Sequence, residues 1–150
     1  MSKPHAILIG VLALTFITPT ISSANEMQNS AEQQALATQP SGGRIARSTF
    51  TTQVIDREPA DSVTELTTLN NQVYYYTELL GMAGQTVTHR WSYDGEVMAE
   101  VSFTVGGSRW RVWSSKSLVP GWTGDWKVSV VNEAGDVLGG NRFTYASAPR

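Results

Sequence analysis

His89 is the one histidine beyond the N-terminal apolar stretch, and the chain contains no cysteine. A thiolate nucleophile, a disulfide framework and a sulfur metal site are therefore excluded. One imidazole alone does not make a zinc site, and no metal or other cofactor is expected. An unperturbed imidazole changes charge near neutral pH, which makes His89 the candidate general base. A Ser-His-Asp arrangement would need a serine and an acid brought to it. Ser114 and Ser115 exist, but no nucleophile-elbow glycine pattern surrounds them. His89 alternates with Val87 and Trp91, which places it on the inward side near a strand end. Two readings stay open: a half-buried histidine bonded to its neighbours, or the base of a hydrolase or transferase. The acids Asp56, Glu58, Asp61 and Glu65 fit no standard calcium loop and read as solvated surface.

The other chemistry lies in tryptophan and arginine. All five tryptophans fall between Trp91 and Trp126, in a run of alternating apolar and polar residues broken by glycine turns. Seven strands are expected there and around it, over residues 45–54, 72–79, 85–92, 96–105, 109–115, 126–131 and 137–145. Each is β-branched, aromatic or alternating, and bounded by Gly, Pro, Asn or Asp. Between the first two, Ser62 followed by Glu65 is expected to cap a short helical turn. Seven short strands in one domain indicate an all-β fold, an immunoglobulin-like antiparallel β-sandwich, with a small β-barrel as the alternative.

The turns suggest a register. A two-residue Asp94-Gly95 loop would set Val97, Ala99, Val101 and Phe103 on the side opposite Val87 and Trp91, and one of those sets belongs in the core. A three-residue loop, Tyr93-Asp94-Gly95 with a left-handed glycine, instead places Trp91 opposite Val97, His89 opposite Ala99 and Val87 opposite Val101. A Gly106-Gly107 hairpin would then set Phe103 opposite Trp110, Val101 opposite Val112 and Ala99 opposite Ser114. Gly139-Gly140 is expected to hold a bulge in the last hairpin. By alternation Trp91, Trp110 and Trp126 are core.

This three-strand meander leaves an outer face carrying Arg90, Glu100, Arg109, Arg111, Trp113 and Ser115, with Lys116 close by. An outward tryptophan flanked by arginines has the composition of a binding hot spot, and an indole also stacks on sugars or guanidinium groups. The competing reading covers Trp113 with the N-terminal tether or a long loop. Trp122 follows Val119-Pro120-Gly121, which reads as a type II turn. It either binds from a loop or folds back as a lid on one end of the sandwich. Tyr74, Tyr75 and Tyr76 share one strand, so at least one ring points away from the core.

The N-terminus bounds where this face would work. Lys3, the apolar run Ala6 to Ile17, and Ser22 and Ala24 before Asn25 form an export signal over residues 1–24. The apolar run falls short of the ~20 residues a spanning helix needs, so no stable membrane insertion is expected after cleavage, with an uncleaved membrane anchor as the alternative. Residues 25–43, rich in Gln, Ala, Ser and Asn and free of aromatics, read as a tether. The folded domain is expected over residues 44–146, with a tail at 147–150. The whole chain has 11 Lys and Arg against 13 Asp and Glu. Loss of Lys3 makes the exported part more acidic, which argues against nucleic acid as partner. The expectation is a periplasmic or secreted, non-enzymatic module of a Gram-negative envelope, binding an envelope glycan or another envelope protein. A structural scaffold without ligand is the further alternative.

Arg57-Glu58-Pro59, Tyr76-Thr77-Glu78-Leu79, His89-Arg90-Trp91 and the run Trp110 to Lys116 give the chain a family resemblance. With Gly124 to Val128 and Phe143-Thr144-Tyr145, it resembles the Domain of Unknown Function 2914 family over about Arg44 to Tyr145. The resemblance implies an exported bacterial envelope domain, sometimes fused to other modules, with no agreed activity. The matching residues it leaves free to face outward or to sit in loops are Arg109, Arg111, Trp113, Ser115 and Lys116, with His89 at a strand end.

Overall fold

The computed structural model describes residues 43–150; the expected signal segment and nearly all of the tether lie outside the described residues. The strands are β1 (Arg44–Thr51), β2 (Val54–Ile55), β3 (Glu58–Pro59), β4 (Glu65–Thr67), β5 (Gln72–Leu80), β6 (Thr86–Tyr93), β7 (Glu96–Thr104), β8 (Arg109–Ser117), β9 (Gly124–Asn132) and β10 (Val137–Ala146). Three strands, β1-β5-β8, form one sheet, and five, β4-β10-β9-β6-β7, form the other. The strands β2 and β3 make a separate short hairpin. All pairs are antiparallel except β4 with β10. This is the expected immunoglobulin-like sandwich, and the seven expected strands correspond to β1 and β5 to β10.

Alternation builds the core. Phe50, Tyr75, Leu79 and Val112 enter it from the smaller sheet, and Val87, Trp91, Trp126, Val128, Val130, Phe143 and Tyr145 from the larger. Each large apolar side chain contributes about 1.5–3 kcal/mol on burial. That magnitude requires β7 to turn most of its apolar residues inward, whichever loop joins it to β6. The loop has two residues, Tyr93 pairing with Glu96, with Asp94 at φ 49° and Gly95 at φ 84°. Both positive φ values match a type I′ turn. Continued unbroken, that register would turn Ala99, Val101 and Phe103 outward. Instead Ser92 pairs with Val97 and Trp91 with Ala99, so Met98 is a bulge that restores the inward face. From Ala99 onward the expected faces hold, but Val97, expected inward, is exposed and Met98 packs against the core instead. The expected three-residue loop and its pairs do not form, since Trp91 opposes Ala99, His89 opposes Val101, and Val87 opposes Phe103.

The second correction is larger. Gly106-Gly107 does not close a hairpin, because β8 pairs with β5 in the other sheet. The chain crosses between sheets there, and the expected three-strand meander does not exist. Nor does the expected helical turn after Ser62. Ser62 Oγ bonds Thr49 Oγ1 at 2.6 Å, and Thr64 O accepts from Thr144 N at 2.9 Å. The segment is thereby drawn beside β10 as β4. The expected bulge in the last hairpin is present, at Leu138, since Val137 opposes Val131 and Gly139 opposes Val130.

Candidate functional site

His89 is fully buried between the sheets. Its Nδ1 lies 2.8 Å from Ser114 Oγ on β8, and its Nε2 lies 3.1 Å from Thr77 Oγ1 on β5. Trp91 Nε1 donates to the same Ser114 Oγ at 2.9 Å. One tautomer uses every proton: Trp91 donates to Ser114, Ser114 donates to Nδ1, and Nε2–H donates to Thr77. The rings of Tyr75 and Phe103 close on the imidazole edge-on, with centroids at 5.0 and 4.9 Å. Burial lowers its pKa to about 3. A serine and a histidine do meet, but among the described residues no carboxylate is bonded to either, and both are buried. This is a neutral strut between sheets, and His89 is withdrawn from the expected site.

The remaining expected residues divide between the two sheets. Arg90 and Glu100 lie on the outside of the larger sheet, paired across β6 and β7 at 2.6 Å. They do not share a face with Trp113, which the absent meander had placed opposite Glu100. Trp113 does point outward, partly exposed, from β8 in the smaller sheet, beside Arg111 and Ser115. Its cross-strand partner is Tyr76, which is fully buried, and Tyr74 opposes Ser115, so of the three consecutive tyrosines Tyr74 adds accessible surface to this face. Lys116 stacks its ammonium 5.4 Å from the centroid of Trp122. Trp122 belongs to a 3-10 turn over Pro120–Trp122, and no positive φ marks Gly121. The expected type II turn is therefore absent. The ring folds edge-on against Trp126 at 5.9 Å, the lid alternative.

Four arginines and two glutamates organise the outer face of the smaller sheet. The hairpin β2-β3 turns at Asp56-Arg57, both with positive φ, and brings Glu58 and Arg57 toward β8. Glu58 pairs with Arg47 of β1 and, at 3.2 Å, with Arg111 of β8. Glu78 of β5, nearly buried, pairs with Arg109 and, at 3.4 Å, with Arg47. The hydrogen bond from Arg109 holds the Glu78 carboxyl below the usual carboxylate range, against the opposing effect of burial. Arg47 also covers Tyr76, its Cζ 5.0 Å from the ring centroid and its Nη2 donating to Tyr76 Oη at 3.1 Å.

Next to this network, Arg57, Arg109, Trp110 and Arg111 line a hollow of about 260 Å³. Trp110, expected in the core, is only partly buried. Its ring rests against Gly106, where an added Cβ would stand 2.8 Å from Cη2, and Arg57 Cζ lies 5.9 Å from its centroid. Arg47, Arg57, Glu58, Glu78 and Trp110 were not foreseen as site residues. Arg57-Glu58 was visible only as part of the family motif, since the acids around it suggested plain solvated surface. Asp61 is engaged elsewhere, accepting from Thr51 and Thr52. Among the described residues no group of three or more His, Cys, Asp or Glu could hold a metal ion, and no helix is long and apolar enough to cross a membrane.

Residues 84–145 match the model of a family described as "Protein of unknown function (DUF2914)". That match supports the resemblance to DUF2914 over part of the chain. The match takes in β6 to β10, hence Arg109, Trp110, Arg111 and Trp113, while Arg57, Glu58 and Glu78 stand before it. No curated protein matches the chain. Among solved structures it is similar to a Bifidobacterium dentium β-glucuronidase complexed with coumarin-3-O-glucuronide, at 17% identity and a TM-score of 0.41. The alignment covers 70% of this chain and 18% of that one.

Proposed function

We propose that this domain is a non-enzymatic binding module of the cell envelope, periplasmic or secreted, which holds a negatively charged glycan or protein through the outer face of β1-β5-β8. One observation carries the reading. Arg47, Arg57, Arg109 and Arg111 gather on that side, paired there with Glu58 and Glu78, in a chain whose formal net charge is −2. Concentrating cations against the sign of the whole molecule favours approach of an acidic partner. Trp113 and Tyr74 add flat apolar contact beside the charges, the composition in which hot spots form. The withdrawal of His89 into the core removes the base on which a hydrolase or transferase reading depended.

Co-sedimentation with purified peptidoglycan, together with crosslinking in envelope extracts, tests the reading. Trp113→Ala is expected to keep the far-UV spectrum and melting temperature while weakening capture at least about tenfold. Capture that survives unchanged in the variant overturns the assigned face. Wild-type protein that captures neither glycan nor protein overturns the binding role in favour of a scaffold.

A further inference from the structure

The hollow beside Trp110 differs from the rest of this face in having donors left over. Arg109 gives its Nε to Glu78, and no bond to a described residue engages its terminal nitrogens. Arg57 has neither hydrogen bond nor ion pair to any described residue; its one partner is the face of Trp110. At 5.9 Å from the ring centroid the guanidinium is held by a cation–π attraction alone, which uses none of its N–H donors. The contact thus keeps the group over the ring without satisfying it.

The backbone beneath Arg57 strengthens the point. Arg57 has φ 65°, a left-handed conformation that an L-residue adopts only at a steric cost and that glycine or asparagine adopts more readily. The opposite wall also depends on a particular residue, since a side chain at Gly106 would displace the indole. Two guanidinium groups therefore line about 260 Å³ of open space, one within cation–π distance of Trp110 and the other anchored through Nε by Glu78.

We propose that Arg57, Arg109 and Trp110 form a site for an oxyanion, the carboxylate or phosphate group of a bound ligand. This rests on the reading of the face as a binding surface and names the group it recognises. Planar donor pairs match such oxygens two at a time, which a lysine or a neutral donor does not achieve. Glu58 and Glu78 already show the same recognition within the chain, each carboxylate shared by two arginines.

The test follows the Trp110 indole N–H and Arg57 Nε–H signals by NMR while glucuronate, glucose 6-phosphate, glucose or sodium chloride is added at matched ionic strength. Saturable shifts with glucuronate or glucose 6-phosphate, absent with glucose and with chloride, are the expected result, and the stronger of the two names the source of the oxyanion. Arg57→Ala should weaken that response at least tenfold, with Arg57→Lys in between. Equal shifts with glucose or chloride, or an unchanged response in Arg57→Ala, would falsify the site. The two conclusions fail separately. Peptidoglycan capture lost in Trp113→Ala without any oxyanion shift removes this site and keeps the binding surface. Shifts without capture of any partner keep the site and remove the surface.

Discussion

Ser114 Oγ stands 2.8 Å from His89 Nδ1 and 2.9 Å from Trp91 Nε1, so one hydroxyl on the smaller sheet serves two buried groups of the larger one. Such a junction holds the sheets at a single separation and offset, because each nitrogen lacks any other partner. Ser114→Ala leaves both groups unpaired in a dry interior, where each orphaned group costs about 1–3 kcal/mol. Urea unfolding should show a loss of about 2–4 kcal/mol. A loss below about 0.5 kcal/mol would mean that the network is not holding the sheets.

The same burial makes stability depend on acid. Unfolded, His89 takes up a proton near its ordinary value of 6.5, whereas folded it resists until about pH 3. Between those values the unfolded chain binds more protons, so stability declines as pH falls, by up to about 1.4 kcal/mol per unit. Below about pH 3 this contribution levels off. His89→Gln should be less stable at pH 7, yet lose less on acidification from pH 6.5 to 4. Parallel urea midpoints for both proteins across that range would contradict the assignment.

The strands and the inward residues were legible because alternation reports which side of a strand is apolar. It does not report which sheet the strand joins. In a sandwich both inner faces look into one core, so Val112 and Ser114 point inward equally well beside β7 or beside β5. The Gly106-Gly107 segment was therefore compatible with a hairpin and with a crossover, and sequence alone favoured the shorter connection. Met98 was hidden for a related reason, since a bulge repairs alternation and a longer loop does the same. Trp113 was correctly placed outward on parity alone. Its cross-strand neighbours were not, because they come from strands 30 or more residues earlier, brought together only by pairing of β8 with β5 and β1 with β5.

Glu78 should be a structural acid rather than a ligand contact. It is nearly enclosed, and Arg109 and Arg47 hold its charge. A carboxyl kept below its unfolded value contributes stability above the ordinary range, and that contribution disappears as pH falls through the lowered folded value. Glu78→Gln is expected to cost about 1–3 kcal/mol at pH 7 by leaving two arginines short of a carboxylate. The difference from wild type should shrink below about pH 4.5, the carboxyl's unperturbed value. A gap that stays constant from pH 7 to 3 would show that packing, not charge, accounts for the loss.

Arg57 allows backbone strain and ligand chemistry to be separated. At φ 65° its Cβ is crowded, and Arg57→Ala keeps that crowding while removing the guanidinium. Arg57→Gly removes both. The two variants therefore lose the same charge and the same contact with Trp110 and differ chiefly in the backbone. Glycine relieves roughly 1–2 kcal/mol of steric cost but gives back part of it through its greater freedom when unfolded. Arg57→Gly should accordingly be more stable than Arg57→Ala by about 1 kcal/mol in urea, with both variants equally poor in the oxyanion response. A glycine variant that still answers to glucuronate would place recognition elsewhere on the face, while equal stability of the two would show that the tip of the β2-β3 hairpin stores no strain.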